Sequence, residues 1–469
     1  GRALSWHNFQ TNVSGKDANH SPKRSEGWEC YGQSIFSWIE RHTPVENDKR
    51  MKGYMKKILI LLILILSIKS AFVTYGQVWN FDMTKPQPKY NDEVGYGYDR
   101  NTSAVSEKQK HPMFFSVKVP EGDYKVTVTI GNKQYAGVTV LRAETRRLVV
   151  ERMITKKGEL RDVTFNVNVR TPYIDGKNTV GLQMRERKDW GWDNRLTLEF
   201  NGNSPAVSHI RIESNHPKMK IWLCGNSTVT DQDNEPYTSW GQILPYWFDE
   251  NVAVENMAMS GLRTTSFIEQ NRLAKIVQEV KCGDYVLIEF GHNDEKDDIP
   301  GSGAWYNFTY NLKKFIDNLR PKGAHIILAT PTERRNFING KICGTHGEYP
   351  VAIRTLAERE CLPLIDLTKS TTELYNAMGD SLSKRLFVHF PANSYSGQDK
   401  ELKDDTHSNA FGAYEICKLV IMGLKSNNVE LVKYLRSNWR DFHYYNYDDW
   451  QKFYWPMTPI NKLEKPAGD

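Results

Sequence analysis

Four short stretches of this chain hold the residue types from which acyl-transfer chemistry is built, and each adjoins a segment with the apolar character of a buried element. Gly225-Asn226-Ser227-Thr228-Val229 comes directly after the run Lys220 to Cys224. A serine immediately past a buried strand presents its hydroxyl at the sheet edge, with its own N–H turned toward a bound carbonyl. Met259-Ser260-Gly261 follows a second run, Val252 to Met257, and Gly261 offers an N–H that no side chain shields. Phe290-Gly291-His292-Asn293-Asp294 closes a third run and places the Asn293 carboxamide at the same edge, where it can join those N–H groups in holding an oxyanion. Far downstream, Asp404-Asp405-Thr406-His407 leads into a helical pattern whose apolar face is Phe411, Ile416, Leu419 and Val420. An Asp three residues before a His at a helix start lets the carboxylate orient the imidazole, which then takes the serine proton. Singly, each stretch also fits an ordinary turn or a helix N-cap. Their order on the strand ends of one domain is what points to catalysis.

The elements that must position these residues change period along the chain. From Val78 to about Pro217 the pattern alternates: Phe115, Val117 and Val119, a Pro120-Glu121-Gly122-Asp123 turn, then Tyr124, Val126, Val128 and Ile130. Further strands are predicted over Val163 to Val169, Leu196 to Phe200 and His209 to Glu213, and short strands punctuated by Gly, Asn and Pro indicate an all-β sandwich over residues 77–217. From Lys220 onward short apolar runs, continuing with Tyr285 to Phe290, Ala324 to Ala329 and Leu362 to Leu367, alternate with amphipathic stretches such as Ser266 to Val280 and Phe308 to Leu319. Strand and helix in alternation predict an α/β domain with a doubly wound parallel sheet over residues 218–430, which binds ligands at the carboxyl ends of its strands. An aromatic-rich tail, residues 431–469, follows.

Composition narrows the class. The 469 residues are 39% hydrophobic and 25% charged, with ordinary Gly and Pro and no visible repeat, which excludes disordered, collagenous and solenoid chains. The formal charge of +6 is local: residues 1–76 carry 11 Lys+Arg against 6 Asp+Glu, leaving 51 against 50 in the remainder. With the excess confined there, no nucleic-acid partner is expected. Residues 51–76 read as a secretory signal peptide: Met51 to Lys57 carries positive charge, Ile58 to Ile68 is almost wholly aliphatic, and small and polar residues follow. The mature protein is expected to be secreted or periplasmic, to begin near Gln77 and to leave the membrane once the signal is cleaved. Residues 1–50 contain no Met, so translation is expected to begin at Met51 or Met55, with residues 1–50 as upstream, non-native sequence. The five cysteines beyond them, Cys224, Cys282, Cys343, Cys361 and Cys417, have no zinc-ligand spacing, and an oxidising compartment would permit a Cys343 to Cys361 bridge. Asp404, Asp405 and His407 lack a third ligand cluster, so neither metal nor cofactor is expected.

The four blocks resemble those of the SGNH, or GDSL-type, hydrolases, which supply Ser, Gly, Asn and His in this order. Gly225 to Gln232, Ser260 to Phe267, Phe290 to Asp294 and Asp404 to His407 are more closely similar to the bacterial rhamnogalacturonan acetylesterases. The likeness spans about residues 218–469, and the sandwich ahead of it is similar to a galactose-binding-like accessory module of some secreted esterases. This resemblance implies a flavodoxin-like three-layer fold, Ser227 as nucleophile, His407 as general base, Asp404 as its orienting partner, and an oxyanion hole of the Ser227 and Gly261 N–H groups with the Asn293 side chain. It implies a cofactor-independent serine esterase that removes acetyl groups from an acetylated plant cell-wall polysaccharide, pectic rhamnogalacturonan. One position departs from the family pattern: Asn226 stands where the Gly-Asp-Ser block has Asp.

Rival readings are an SGNH esterase acting on xylan or a lipid ester, and a catalytically inactive carbohydrate-binding protein. Arg263, Lys296, Arg334 and Arg335 lie in or beside the strand-end loops, where they either meet a polymer's carboxylates or are solvated. Trp190 and Trp192 are candidate exposed sugar-stacking residues of the sandwich, and the tail aromatics from Trp439 to Trp455 are expected to pack on their own domain.

Overall fold

Period-two alternation runs through the first nine strands of the computed structural model, which describes residues 76–106, 110–459 and 465–466. Residues 1–75, on which the expected upstream segment and the expected signal peptide fall, lie outside the described residues. The strands are β1 (Val78–Asp82), β2 (Tyr96–Asp99), β3 (Met113–Lys118), β4 (Gly122–Ile130), β5 (Gly137–Ala143), β6 (Arg147–Thr155), β7 (Arg161–Val169), β8 (Arg195–Ser204) and β9 (Val207–Asn215). They form two antiparallel sheets, ordered β1-β9-β4-β7 and β2-β3-β8-β5-β6. Alternate residues of the facing strands, such as Tyr124, Val126 and Val128 from one sheet and Phe115, Leu196 and Leu198 from the other, fill a single core. This is the expected sandwich.

A second sheet is parallel throughout: β10 (Met219–Cys224), β11 (Val252–Asn256), β12 (Tyr285–Glu289), β13 (His325–Ala329) and, after the small hairpin β14 (Phe337–Ile338) and β15 (Lys341–Ile342), β16 (Leu364–Ile365). Its order, β11-β10-β12-β13-β16, reverses direction after β10, so the carboxyl end of β10 lies at the topological switch point. Both faces are covered, which is why these strands are continuous apolar runs: in β12, Tyr285 and Leu287 enter one core while Val286 and Ile288 enter the other. Helices α1 (Trp240–Ile243), α6 (Leu367–Ser383) and α7 (Ala410–Ser426) cover the first face. Helices α2 (Thr264–Glu269), α3 (Arg272–Glu279), α4 (Thr309–Leu319) and α5 (Tyr349–Arg359) cover the second. The result is the doubly wound α/β/α arrangement.

Some expectations change. The stretch predicted as one amphipathic unit, Ser266 to Val280, is two helices separated at Asn271, which adopts a left-handed conformation with φ of 60° while the apolar spacing continues across the break. Asp404 to His407 does not open a helix. It belongs to strand β18 (Leu402–Ser408), paired antiparallel with β17 (Phe387–Phe390), and α7 begins only after Asn409, whose side chain caps the Gly412 N–H. The strand was hidden because a run of Asp-Asp-Thr-His has little intrinsic β character: Asp404 and Ser408 pair with Val388 and Phe387, and the three residues between them interrupt the register. Cys343 and Cys361 are both free thiols.

The tail packs partly on the α/β domain and partly on the sandwich, where Arg142 of β5 stacks on Trp455 and donates to the Pro456 carbonyl while the Thr458 hydroxyl donates to Glu199 of β8. Helix α7 is apolar nearly all round, so the side turned from the sheet needs a second cover. Phe453 supplies it against Phe411 and Tyr414, while Trp439 packs on Trp247 and buried Phe442 lies under Lys418. The sandwich also reaches this core, through Val140 of β5 and Leu148 of β6. Trp190 and Trp192, in contrast, are only 6% and 8% exposed. Arg100 stacks on the first and Arg170 on the second, so neither ring is a free sugar platform. Among the described residues no helix is long and apolar enough to cross a membrane.

Candidate active site

Ser227 stands in the turn that leaves β10, where the Val229 and Thr230 N–H groups both donate to the Asn226 carbonyl, at 3.1 and 3.0 Å. Helix α1 is set directly against this turn: a side chain at Gly241 would place a Cβ 2.1 Å from the Val229 carbonyl oxygen. The Ser227 hydroxyl lies 2.9 Å from His407 Nε2, although 180 residues separate them in sequence. His407 Nδ1 lies 2.9 Å from Asp404 Oδ2, while Asp404 Oδ1 accepts the main-chain N–H groups of Thr406 and His407, each at 2.9 Å. A carboxylate only accepts, so Nδ1 carries the imidazole proton and Nε2 presents its lone pair to the serine O–H. All three side chains are buried. Burial alone would raise the Asp404 carboxyl, but the hydrogen bond and charge of His407 and the two N–H donors outweigh it and hold the carboxyl below its ordinary range.

The donor side of the site is assembled from the next two strand ends. Gly261 has φ of 80°, a conformation that favours glycine, and neither its N–H nor that of Ser227 is donated to an acceptor among the described residues. Asn293 is buried and donates one carboxamide N–H to the Leu262 carbonyl at 3.1 Å, which ties the third strand end to the second. Asp294 strengthens that tie by accepting both the N–H and the hydroxyl of Thr264, at 2.8 and 2.6 Å. Burial pushes the Asp294 carboxyl up to about 6. The fold thus brings together all five residues singled out in sequence, Ser227, Gly261, Asn293, Asp404 and His407. Hydroxyl, imidazole and carboxylate in one chain, with N–H groups left over on the adjoining strand ends, can perform nucleophilic acyl transfer.

The neighbours of the site are less familiar. Asn226 is completely buried and its Oδ1 accepts from the Thr228 N–H and lies 3.0 Å from the Thr228 hydroxyl. That hydroxyl is also 2.8 Å from Oε1 of buried Glu289, whose other oxygen accepts the Trp240 indole N–H at 2.5 Å. Burial raises the Glu289 carboxyl despite these donors. A carboxamide at position 226 therefore avoids a second carboxylate on the same hydroxyl. His292 makes no side-chain hydrogen bond among the described residues, and its ring meets that of His346 edge to face, centroids 4.6 Å apart. Burial first, then the neighbouring His346 and Arg334, push His292 well below its ordinary range and keep it neutral. Of the four loop cations, Arg263 pairs with Asp297 at 2.5 Å, Arg334 with Glu295 at 2.5 Å, and Arg335 with Asp405 at 2.9 Å and with Asp380. These three are matched within the chain, which charge patterning along the sequence does not reveal. A cleft of about 660 Å³ opens beside Gly261, its walls including Gln183 from the sandwich side, Arg263, Glu269, Asp297, Tyr310 and Asn311.

With this fold and this site, the chain belongs to the GDSL-like Lipase/Acylhydrolase family, whose model matches residues 223–412, and it is a carboxylic ester hydrolase by class. It is 40% identical to the rhamnogalacturonan acetylesterase RhgT of Bacillus subtilis over 222 residues, 47% of this chain and 95% of that protein. The probable rhamnogalacturonan acetylesterase YesY of the same organism is 31% identical over 216 residues, 45% of this chain and 95% of its own length. The uncharacterized esterase YxiM, also from Bacillus subtilis, is 25% identical over 421 residues and covers 81% of this chain and 99% of itself, so this likeness extends into the sandwich.

Proposed function

We propose that the protein is a secreted serine esterase that removes acetyl groups from pectic rhamnogalacturonan. The observation that carries the reading is the unbroken chain from Ser227 to His407 to Asp404, with 2.9 Å at each step. Ser227 Oγ attacks the acetyl carbonyl carbon while His407 Nε2 takes its proton, and Asp404 steadies the imidazolium that forms. The developing oxyanion is received by the Ser227 and Gly261 N–H groups and the free N–H of the Asn293 carboxamide. The imidazolium then returns its proton to the sugar oxygen, which leaves as a hydroxyl, and acetyl-serine remains. Water, deprotonated by His407, attacks that ester, acetate departs and the serine recovers its proton. General-base help contributes about 10² to 10⁴ in rate and a single oxyanion donor about 10² to 10³.

The substrate reading is supported by the two relatives at 40% and 31% identity, both named for rhamnogalacturonan acetylesterase activity. The cleft that reaches Gly261, with the exposed ring of Tyr310 on its wall, is of a size to hold sugar units. Secretion is supported by the leader pattern at Met51 to Gly76. Initial rates of acetate release on acetylated rhamnogalacturonan, acetylxylan and an aryl acetate test the substrate. The pectic polymer is expected to be the fastest of the two polysaccharides, and equal or faster release from xylan overturns it. N-terminal sequencing of protein recovered from the culture medium of a bacterial host tests the leader. A start near Gln77 is expected, and retention inside the cell contradicts it.

A further inference from the structure

The turn between β5 and β6 enters the α/β domain at the active site. Its residues Glu144 and Arg146 adopt left-handed conformations, with φ of 52° and 59°, and Arg146 is completely buried. One guanidinium nitrogen of Arg146 donates to the main-chain oxygens of Gln232 and Tyr237, each at 3.0 Å. The other pairs with Glu235 at 2.7 Å and reaches the Thr238 hydroxyl at 3.4 Å. Thr145 and Arg147 flank this contact. The Thr145 carbonyl accepts Gln242 Nε2 at 2.7 Å, and Arg147 pairs with Asp231 at 2.7 Å.

The segment so gripped, residues 230–239, contains neither helix nor strand and runs between the two halves of the site. At its start the Gln232 carboxamide donates to the Ser227 carbonyl at 2.8 Å and lies 3.4 Å from the Ser260 hydroxyl, joining the nucleophile turn to the loop that carries Gly261. Near its end the Tyr237 ring meets the His407 imidazole in a T-shaped pair, centroids 5.7 Å apart and planes at 85°. Thr238 also exchanges two hydrogen bonds with Ser408, the residue after His407: its N–H donates to the Ser408 carbonyl at 3.1 Å, and the Ser408 hydroxyl returns a bond of 2.7 Å. One side chain from the sandwich thereby constrains both partners of the Ser227–His407 contact.

We infer that Arg146 is a positioning residue for the hydrolase, acting through Gln232 on Ser227 and through Tyr237 and Thr238 on His407. The inference rests on the catalytic reading of Ser227. It makes the sandwich a working part of the active site rather than a spacer or a detachable sugar-binding module. The role requires a guanidinium, because only a planar fork reaches two carbonyls, a carboxylate and a hydroxyl at once, while an ammonium preserves charge opposite Glu235 and little else.

The test uses the full chain as wild type, Arg146→Lys and Gln232→Leu. Nucleophilic serines are counted by complete reaction with a fluorophosphonate, and kcat and KM for an aryl acetate are expressed per reactive serine. Displacing a reacting group by an ångström lowers rate by about 100-fold. Accordingly, kcat per reactive serine is expected to fall about 10- to 100-fold in both variants, with KM changed less than about threefold. A merely structural role lowers the melting temperature or the number of reactive serines and leaves kcat per serine unchanged. That result in both variants overturns the inference, and Gln232→Leu decides alone if Arg146→Lys does not fold. Turnover that survives Ser227→Ala is a separate outcome, which removes the Ser227 reading itself.

Discussion

A carboxylate that accepts from the His407 ring and from two main-chain N–H groups has a defined electrical task, and Asp404 shows it at the scale of one residue. Because its folded pKa is depressed, its contribution to stability is complete above the ordinary carboxylate range and is lost as pH falls through the folded value. Asp404→Asn keeps an oxygen for the two N–H groups but can offer an N–H to the ring, which favours the wrong tautomer. It is expected to lower kcat by about 10³ to 10⁴ with the melting temperature nearly unchanged, as stopped assays and calorimetry on the same preparation would show. Asn226 yields a second prediction. In Asn226→Asp a new carboxylate shares the Thr228 hydroxyl with Glu289, whose carboxyl burial already raises, so the variant is expected to lose about 2 kcal/mol more stability at pH 8 than at pH 5. Denaturant melts at the two pH values check this, and equal losses contradict it. The five site residues were legible in the sequence because each sits where an apolar run meets a polar, glycine-bearing turn, or where Asp and His share a short spacing. Arg146 was not. A charged residue in a strand-to-strand turn reads as solvated, and its partners Gln232 and Tyr237 lie 86 and 91 residues away.

Between elements, the informative cases are those where a pattern needed a partner to be understood. The runs that became β10, β12 and β13 were recognisable alone because both faces are apolar. Strand β18 was not, because from Asp404 to Ser408 only the two end residues pair with β17, with Val388 and Phe387, while Asp405, Thr406 and His407 fall in a register irregularity between them. Trp190 and Trp192 were misread as exposed for a related reason: aromatics followed by polar turn residues suggest a surface, but the guanidiniums of Arg100 and Arg170 cover them from remote segments. The tail's cover of α7 follows from a helix with more apolar surface than one sheet can bury, whereas its contacts with Arg142, Glu199 and Asn203 of the sandwich leave no pattern in the sequence. Phe442→Ala in that cover is expected to cost about 3 kcal/mol of stability while leaving kcat per reactive serine at the wild-type value. Urea unfolding with parallel assays distinguishes this packing role from a catalytic one, which would change kcat.

For the molecule as a whole, buried charge at the junction of sandwich and α/β domain ties stability to pH. Desolvation raises the Glu144 carboxyl from 4.5 to about 8, against the opposing charge of Arg147 and the N–H of Thr197, and raises Asp189 from 3.8 to about 7. In that interval these two groups hold protons when folded that they release when unfolded, so their contribution to stability declines as pH rises from about 4.5 to 8. Glu144→Gln, which removes the titration and keeps an oxygen for Thr197, is expected to flatten the fall in melting temperature between pH 5 and 8, and an unchanged slope contradicts the assignment. The central claim is tested most directly by acetate release from acetylated rhamnogalacturonan and from an aryl acetate, with wild-type protein and Ser227→Ala assayed side by side. Release by the wild type that falls by at least about 10⁴ in the variant on both substrates is the predicted result. Release from either substrate that survives the loss of the Ser227 hydroxyl would contradict the account.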